Sequence, residues 1–241
     1  MARKVNPKEH ASKRREILDA AQRLVFTKGY EQMSIKDVLD EVQISSGAFH
    51  HYFDSRAALL EALIENMQRQ VVKPVLAIIQ DPDLTAIEKL QGFFDLLDSM
   101  RLASRADLVR LMRVWYTDDN ALVRQKIDEA VFEQRAPLIA EIVRQGIREG
   151  TFHTTHPGKA GEVILSLLQG MGNAHSRLLL TLDREIGGAT DSRVQSLIAE
   201  IVATHAAYMD AIERLLGLPA NSLHRSNAEA VKVWIEALRA E

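Results

Sequence analysis

The chain has 241 residues, enough for one large domain or two small ones with a buried core, and its 46% hydrophobic and 26% charged residues are the balance of a globular protein. No window approaches the roughly 18 unbroken apolar residues of a membrane span and no apolar signal core follows the basic start, so membrane insertion is not expected and a cytoplasmic location is. The absence of cysteine excludes disulfides, thiolate catalysis and cysteine-held zinc or iron–sulfur sites, and the net charge of -3 argues against a chain coated with positive charge.

Charge is nonetheless uneven. Arg3, Lys4, Lys8, Lys13, Arg14 and Arg15 face the single acid Glu9 before Glu16. The stretch reads either as a solvated tail or as a phosphate-binding arm, and its own composition favours the tail.

Apolar residues recur three and four apart almost throughout, with no sustained alternation, so the chain is expected to be all-α. A first helix spans about Ser12 to Lys28, burying Ile17, Leu18, Ala21, Leu24 and Val25, and Gly29 ends it. Ser34 and Asp37 have the spacing of a capping box and open a short second helix with the stripe Ile35, Val38, Leu39 and Val42, ending near Glu41. A third begins at Ser45 or Ser46 and carries Ala48, Phe49 and Tyr52. Asp54 or Ser55 caps a fourth that should end by Pro74.

Two short helices joined by a few residues describe a helix-turn-helix, whose second helix enters the major groove of DNA. Ser45, Ser46, Gly47 and Ala48 are small enough to let that helix approach closely, and its terminal N–H groups favour phosphate oxygens. Phe49 and Phe53, four residues apart, should face helices 1 and 2, while His50, His51 and Tyr52 project towards the rim, within reach of phosphates or base edges.

At these residues the stretch SIKDVLDEVQISSGAFHHYFDSRAALLEAL resembles the DNA-binding domain of the TetR family of bacterial transcriptional regulators, over roughly residues 12 to 65. The resemblance implies that Ser34 and Ser45 to Tyr52 form the contact surface and that Arg56 binds backbone phosphate. It also implies that residues ahead of helix 1 reach the duplex, which favours the DNA reading of the stretch containing Lys13 and Arg14. Gln43 stands where the turn usually has glycine, Ser46 where a basic residue is frequent and His50 where tyrosine is more usual. The implied architecture is an N-terminal three-helix helix-turn-helix domain over residues 1–56 and a larger C-terminal helical ligand-binding and dimerisation domain over 57–241.

Beyond this region only pattern speaks. Helices are expected at Leu84–Ala103, Arg105–Tyr116, Ala121–Glu149 with Pro137 inside, Gly158–Leu182, Ser192–Leu216 and about Leu223–Ala240. Gly158–Leu182 and Ser192–Leu216 are the most apolar pair. Gly161, Gly170 and Gly172 leave a shallow face on the first, and the second is apolar on more than one side, so the two suit a four-helix interface between two copies. Ile164, Leu168, Leu197, Ile201, Tyr208 and Ile212 are its expected contacts. The resemblance implies the same homodimer, on a double-stranded operator, responding to a small-molecule inducer.

An apolar cavity among the C-terminal helices is the expected pocket, with Phe93, Phe94, Met100, Met112, Trp115, Tyr116, Phe132 and Met171 as candidate lining, and Asn173 and His175 as polar groups. Aromatics and methionines at helical spacing are core more often than pocket, so each suits a plain core position better. No catalytic site, metal or cofactor is expected. There is no G-x-S-x-G elbow, no assignable triad, and His153 and His156 lack a nearby carboxylate cluster. The competing reading is a helical adaptor that does not bind DNA.

Overall fold

The computed structural model describes residues 7–116, 120–185 and 190–240, so Arg3 and Lys4 of the basic stretch lie outside the described residues. Ten helices occur among the described residues, with no strand: α1 (Pro7–Lys28), α2 (Ile35–Val42), α3 (Ser46–Phe49), α4 (Arg56–Gln80), α5 (Ala86–Ala103), α6 (Arg105–Trp115), α7 (Ala121–Arg148), α8 (Pro157–Glu185), α9 (Asp191–Leu216) and α10 (Ala228–Ala240). They fall into two compact units, one holding the residues up to Arg69 with Arg113–Ala130, the other Gln70–Met112 with Val131–Glu241. The division therefore falls inside α4 rather than at residue 56, because Leu59, Leu60 and Leu63 are buried in the first unit's core.

In the first unit, Ile17, Leu18, Ala21 and Val25 of α1 meet Val38 and Val42 of α2, Phe49 of α3 and Phe53. Val123 closes the same core from the 113–130 segment. Asn120 fixes that segment: its Oδ1 accepts from the Tyr30 N–H at 2.9 Å and its Nδ2 donates to the Val114 carbonyl at 2.8 Å. Gly29, at φ 83°, leaves no room for a side chain there, since an added Cβ would lie 2.7 Å from Asn120 Nδ2.

The second unit has two cores. One gathers Leu90, Phe93, Ile139, Ile142, Ile164, Leu168, Met209 and Ile212, the other Val109, Met112, Leu182, Leu197, Ile201, Ile235 and Leu238. α7 and α8 approach closely at Gly161, where an added Cβ would lie 2.4 Å from the Ala136 carbonyl oxygen and 2.9 Å from the Ala140 nitrogen. The shallow face predicted for a partner is thus filled by this chain itself at Gly161, and at Gly170 by the Tyr208 ring. Only Gly172 of the three faces open space. Ile164, Leu168, Leu197, Ile201 and Ile212 are likewise buried within the chain and Tyr208 is half-buried, so these six form its own core rather than an exposed interface.

Several helix limits differ from expectation for tertiary reasons. α4 continues through Pro74 to Gln80. Burying Val75, with Val71 and Ile79 packed against the same core, offsets the roughly 3 kcal/mol cost of an internal proline. Lys89, nearly fully buried, caps the end by donating to the Ile79 carbonyl at 2.7 Å and to Gln145 Oε1 at 2.8 Å. α10 starts at Ala228 rather than Leu223 because buried Glu213 holds the preceding loop, accepting from the Asn221 and Leu223 N–H groups and from Arg225.

Candidate functional site

α2 and α3 are set by their caps. Ser34 and Asp37 form the predicted capping box: the Asp37 N–H donates to Ser34 Oγ at 3.1 Å, and the Ser34 N–H donates to Asp37 Oδ2 at 2.7 Å. Lys28 lies 2.7 Å from the same carboxylate, and these bonds, that from Lys28 first, hold the Asp37 carboxyl well below the usual carboxylate range. The Ser34 hydroxyl donates to Asp37 Oδ2 at 2.6 Å, so it shapes the α2 start as well as lying exposed on it. Gln43 then reverses the chain in the left-handed conformation, φ 55° and ψ 50°, which is the physical reason glycine suits this position.

Ser45 caps α3 by accepting from the Ala48 N–H at 3.2 Å. The helix is one turn long, and Tyr52, expected within it, lies just beyond, its N–H bonded to the Phe49 carbonyl at 2.8 Å. Phe49 and Phe53 turn inward as predicted, 0% and 4% exposed, which fixes what the opposite side presents. That side carries Ser46, Gly47, His50 and His51, all exposed, with Ala48 half-buried. An added Cβ at Gly47 meets nothing within 4 Å and its φ is not positive. The fold itself does not require this glycine, whereas a surface pressed against α3 would.

The described part of the basic stretch, from Pro7 on, is helical. α1 runs from Pro7 rather than from about Ser12, so Lys8 and His10 are helix side chains as well as Lys13 and Arg14. Arg14 lies 4.9 Å over the Phe53 ring, and Lys13 pairs with Glu16 at 2.7 Å. The α1 extension also brings His10 against Tyr52, ring centroids 4.6 Å apart, fixing the tyrosine beside α3. His10 was not singled out from the sequence, although Pro7 was the available signal.

Arg56 is turned inward. Its guanidinium lies 4.0 Å over the Tyr30 ring, donates to the Tyr30 carbonyl and stands 3.8 Å from Glu31. The position assigned to phosphate by resemblance instead ties the α1–α2 connection to the start of α4, because a planar guanidinium can stack and donate at once. Burial of Tyr30 raises its phenol, against the pull of Arg56.

In the second unit a cavity of about 170 Å³ opens among α5, α8, α9 and the start of α10. Its lining includes the apolar Phe94, Leu97, Leu168, Met171 and Met209 and the polar Gln91, Asp95, Asp98, Arg101, His205, His224, Arg225 and Ser226. Of the predicted lining, Phe94 and Met171 are present. Phe93 and Met112 are core residues, Phe132 packs on the first of the two cores, Met100 is half-buried and Asn173 is exposed. Trp115 and Tyr116 belong to the first unit, where Trp115 packs in the core and Tyr116 lies under Arg124.

His175 is adjacent through a stacked contact with His205, ring centroids 6.1 Å apart. Burial first, then the neighbouring His205 and Arg101, push the His175 imidazole down to about 4. His205 is also lowered, chiefly by burial. Its Nδ1 accepts from the Ser226 N–H at 3.2 Å, which leaves the proton on Nε2. Arg101, His205 and Arg225 were not predicted, because an ionisable residue on a helix flank reads as solvated until the neighbouring helices are placed.

Residues 17–63 match the model for bacterial regulatory proteins of the tetR family, and residues 110–174 match the tetracyclin repressor-like C-terminal domain. An uncharacterized HTH-type transcriptional regulator of Lactococcus lactis is 35% identical over 79 residues, 33% of this chain and 40% of its own length. Bacillus subtilis YfiR, also an uncharacterized HTH-type regulator, is 25% identical across 62% of this chain and 73% of its own. The HTH-type transcriptional repressor KstR2 of Mycolicibacterium smegmatis is 23% identical across 61% and 70%. Among solved structures, a TetR-family regulator from Shewanella sp. PV-4 shares the fold at TM-score 0.55 and 18% identity, covering 83% of this chain and 97% of its own. The reduced form of Escherichia coli NemR does so at 0.54 and 15%, covering 86% and 100%. Both family models fall on this helical architecture, the first on the capped helix-turn-helix, and the chain belongs to the TetR family of bacterial transcriptional regulators, which are DNA-binding proteins and not enzymes.

Proposed function

We propose that the protein is a cytoplasmic, homodimeric repressor that occupies a palindromic operator and is released from it by a small-molecule inducer. The observation that carries the DNA contact is α3: a capped turn with exposed Ser46, Gly47, His50 and His51, whose glycine has no role inside the fold. Tyr52, braced by His10, and the helical Lys13 and Arg14 flank it as phosphate contacts. Ser34 and Ser45 set the positions of α2 and α3 through their caps.

Dimerisation is supported by a different set of residues from the buried ones first expected. Ala199, Ala203 and Ala207 form an exposed stripe four residues apart on α9, and Val163 is 41% exposed on α8. Small side chains at that spacing let a partner helix approach closely. A symmetric dimer then presents two α3 helices, which must sit about 34–36 Å apart to enter successive major grooves. A ligand that prefers a conformer with other spacing draws the protein off DNA, and DNA weakens that ligand by the same factor. The relative named KstR2, a transcriptional repressor, supports the negative sign of regulation.

Selection of bound sequences from random duplex DNA, followed by titration of the enriched duplex at two salt concentrations, tests this reading. A palindrome with steep salt dependence is expected. Tyr52→Ala should weaken binding to all sequences, and Ser46→Ala should mainly change base preference. Unchanged affinity in Tyr52→Ala, or no enriched motif from ligand-free protein, refutes the docking.

A further inference from the structure

The proposed inducer can be given a chemical class, an inference that rests on the ligand-responsive reading above. The cavity's polar residues differ in what they have left to offer a ligand. Arg225 is engaged at all three guanidinium nitrogens, its Nε on Asn221 Oδ1 at 3.0 Å, Nη1 on the Ala206 carbonyl at 2.7 Å, and Nη2 on Asp210 and Glu213 at 2.7 and 2.8 Å. Gln91 is engaged through both amide atoms, donating to Asp95 at 2.7 Å and accepting from the His224 N–H at 2.8 Å. Asp95 takes the Gln91 donor and has His224 Nδ1 3.9 Å away, and Asp98 takes Arg101 at 3.3 Å.

Two donors remain. Arg101 uses one N–H in that single long contact, of the five a guanidinium carries. His205 is 8% exposed, lines the cavity and has its Nδ1 committed to Ser226, so Nε2–H is the donor it retains. The same lining holds Phe94, Leu168, Met171 and Met209, apolar side chains of which the two methionines adapt to varied shapes. The volume is below the roughly 300–1,000 Å³ of pockets for drug-sized ligands, so the occupant is small.

We propose that this cavity binds a small amphipathic carboxylate, its anionic oxygens on Arg101 and His205 Nε2–H and its apolar body against Phe94, Leu168, Met171 and Met209. Asp98 is displaced from Arg101 or shares it. A guanidinium favours a carboxylate because it donates two parallel bonds to its two oxygens.

The test is calorimetric titration and thermal melting of the full chain, without DNA, using straight-chain carboxylates from butanoate to decanoate and the matching primary alkylammonium ions and alcohols. The acids should bind and raise Tm, with affinity rising along the series until the cavity is full, the alcohols should bind more weakly and the ammonium ions not at all. Arg101→Gln, at a side chain 44% exposed, should melt like the parent and lose roughly 10- to 100-fold in affinity for the acids. Leu168→Trp, which fills the cavity, should abolish binding; should it fail to fold, the Arg101→Gln comparison decides alone. Ammonium ions binding as tightly as acids, acids binding Arg101→Gln unchanged, or no acid binding at all would each overturn the proposal. Acids that bind without lowering operator affinity would refute induction and leave the ligand class standing, whereas operator binding with no acid bound refutes the ligand class alone.

Discussion

Replacing His175 by glutamine should flatten the acid side of the stability profile. The imidazole lies between α8 and α9, stacked on His205, close to Arg101 and bonded to the Ile201 backbone, and burial first, then His205 and Arg101, push it down to about 4 from an ordinary 6.5. Because the folded value is depressed, the unfolded chain binds the proton more readily. The neutral ring's contribution is therefore fully present above about pH 6.5 and is lost as pH falls towards 4. Over the whole window this amounts to roughly 3 kcal/mol at 1.36 kcal/mol per pH unit, of which about 2 kcal/mol is already lost at about pH 5. His205, lowered in the same direction, adds to the loss, while Asp98 opposes it and Arg225 and Arg101 reinforce it. Urea unfolding at fixed protein concentration, at about pH 7.5 and about pH 5, should show His175→Gln losing about 2 kcal/mol less than the parent between the two. Comparing each protein with itself removes any direct cost of the substitution. Equal losses would refute the assignment of a buried, neutral His175.

Two backbone predictions follow from local geometry. Gly161→Ala should destabilise the protein by about 1–3 kcal/mol in urea unfolding, because the new Cβ meets the Ala136 carbonyl and the Ala140 nitrogen, atoms that cannot rotate aside; the usual helical gain of about 1 kcal/mol from such a change would disprove the close approach. Gln43→Gly should raise stability by about 1 kcal/mol by relieving the left-handed residue in the α2–α3 turn, and Gln43→Val should lower it; the reverse order would exclude φ 55° there.

The recognition end of the molecule was legible because its signals are local. A capping box needs only Ser34 and Asp37, an N-cap only Ser45, and the inward turn of Phe49 and Phe53 only their spacing and the stripe opposite them. Where long-range packing competes with local preference, reading by pattern stops early. Pro74 signals a helix end, yet burial of Val75 carries α4 past it. Arg56 reads as a phosphate ligand by position, yet the Tyr30 ring and carbonyl take its guanidinium. Gly161 and Gly170 show that another group comes near, without showing that it belongs to the same chain.

What the sequence by itself determined is the helical class, the order and approximate limits of the helices and the residue types on the surface proposed to meet DNA. These depend on periodicity, capping and steric size within about a dozen residues. What only the tertiary structure decided is which apolar residues the chain keeps for its own core and which polar groups meet around a cavity. His205 and Arg101 come from α9 and α5, more than a hundred residues apart, and line one cavity only when burial removes one from water and brings the other beside it. The free energy of that arrangement resides in contacts between distant segments, which no local pattern of residue types encodes.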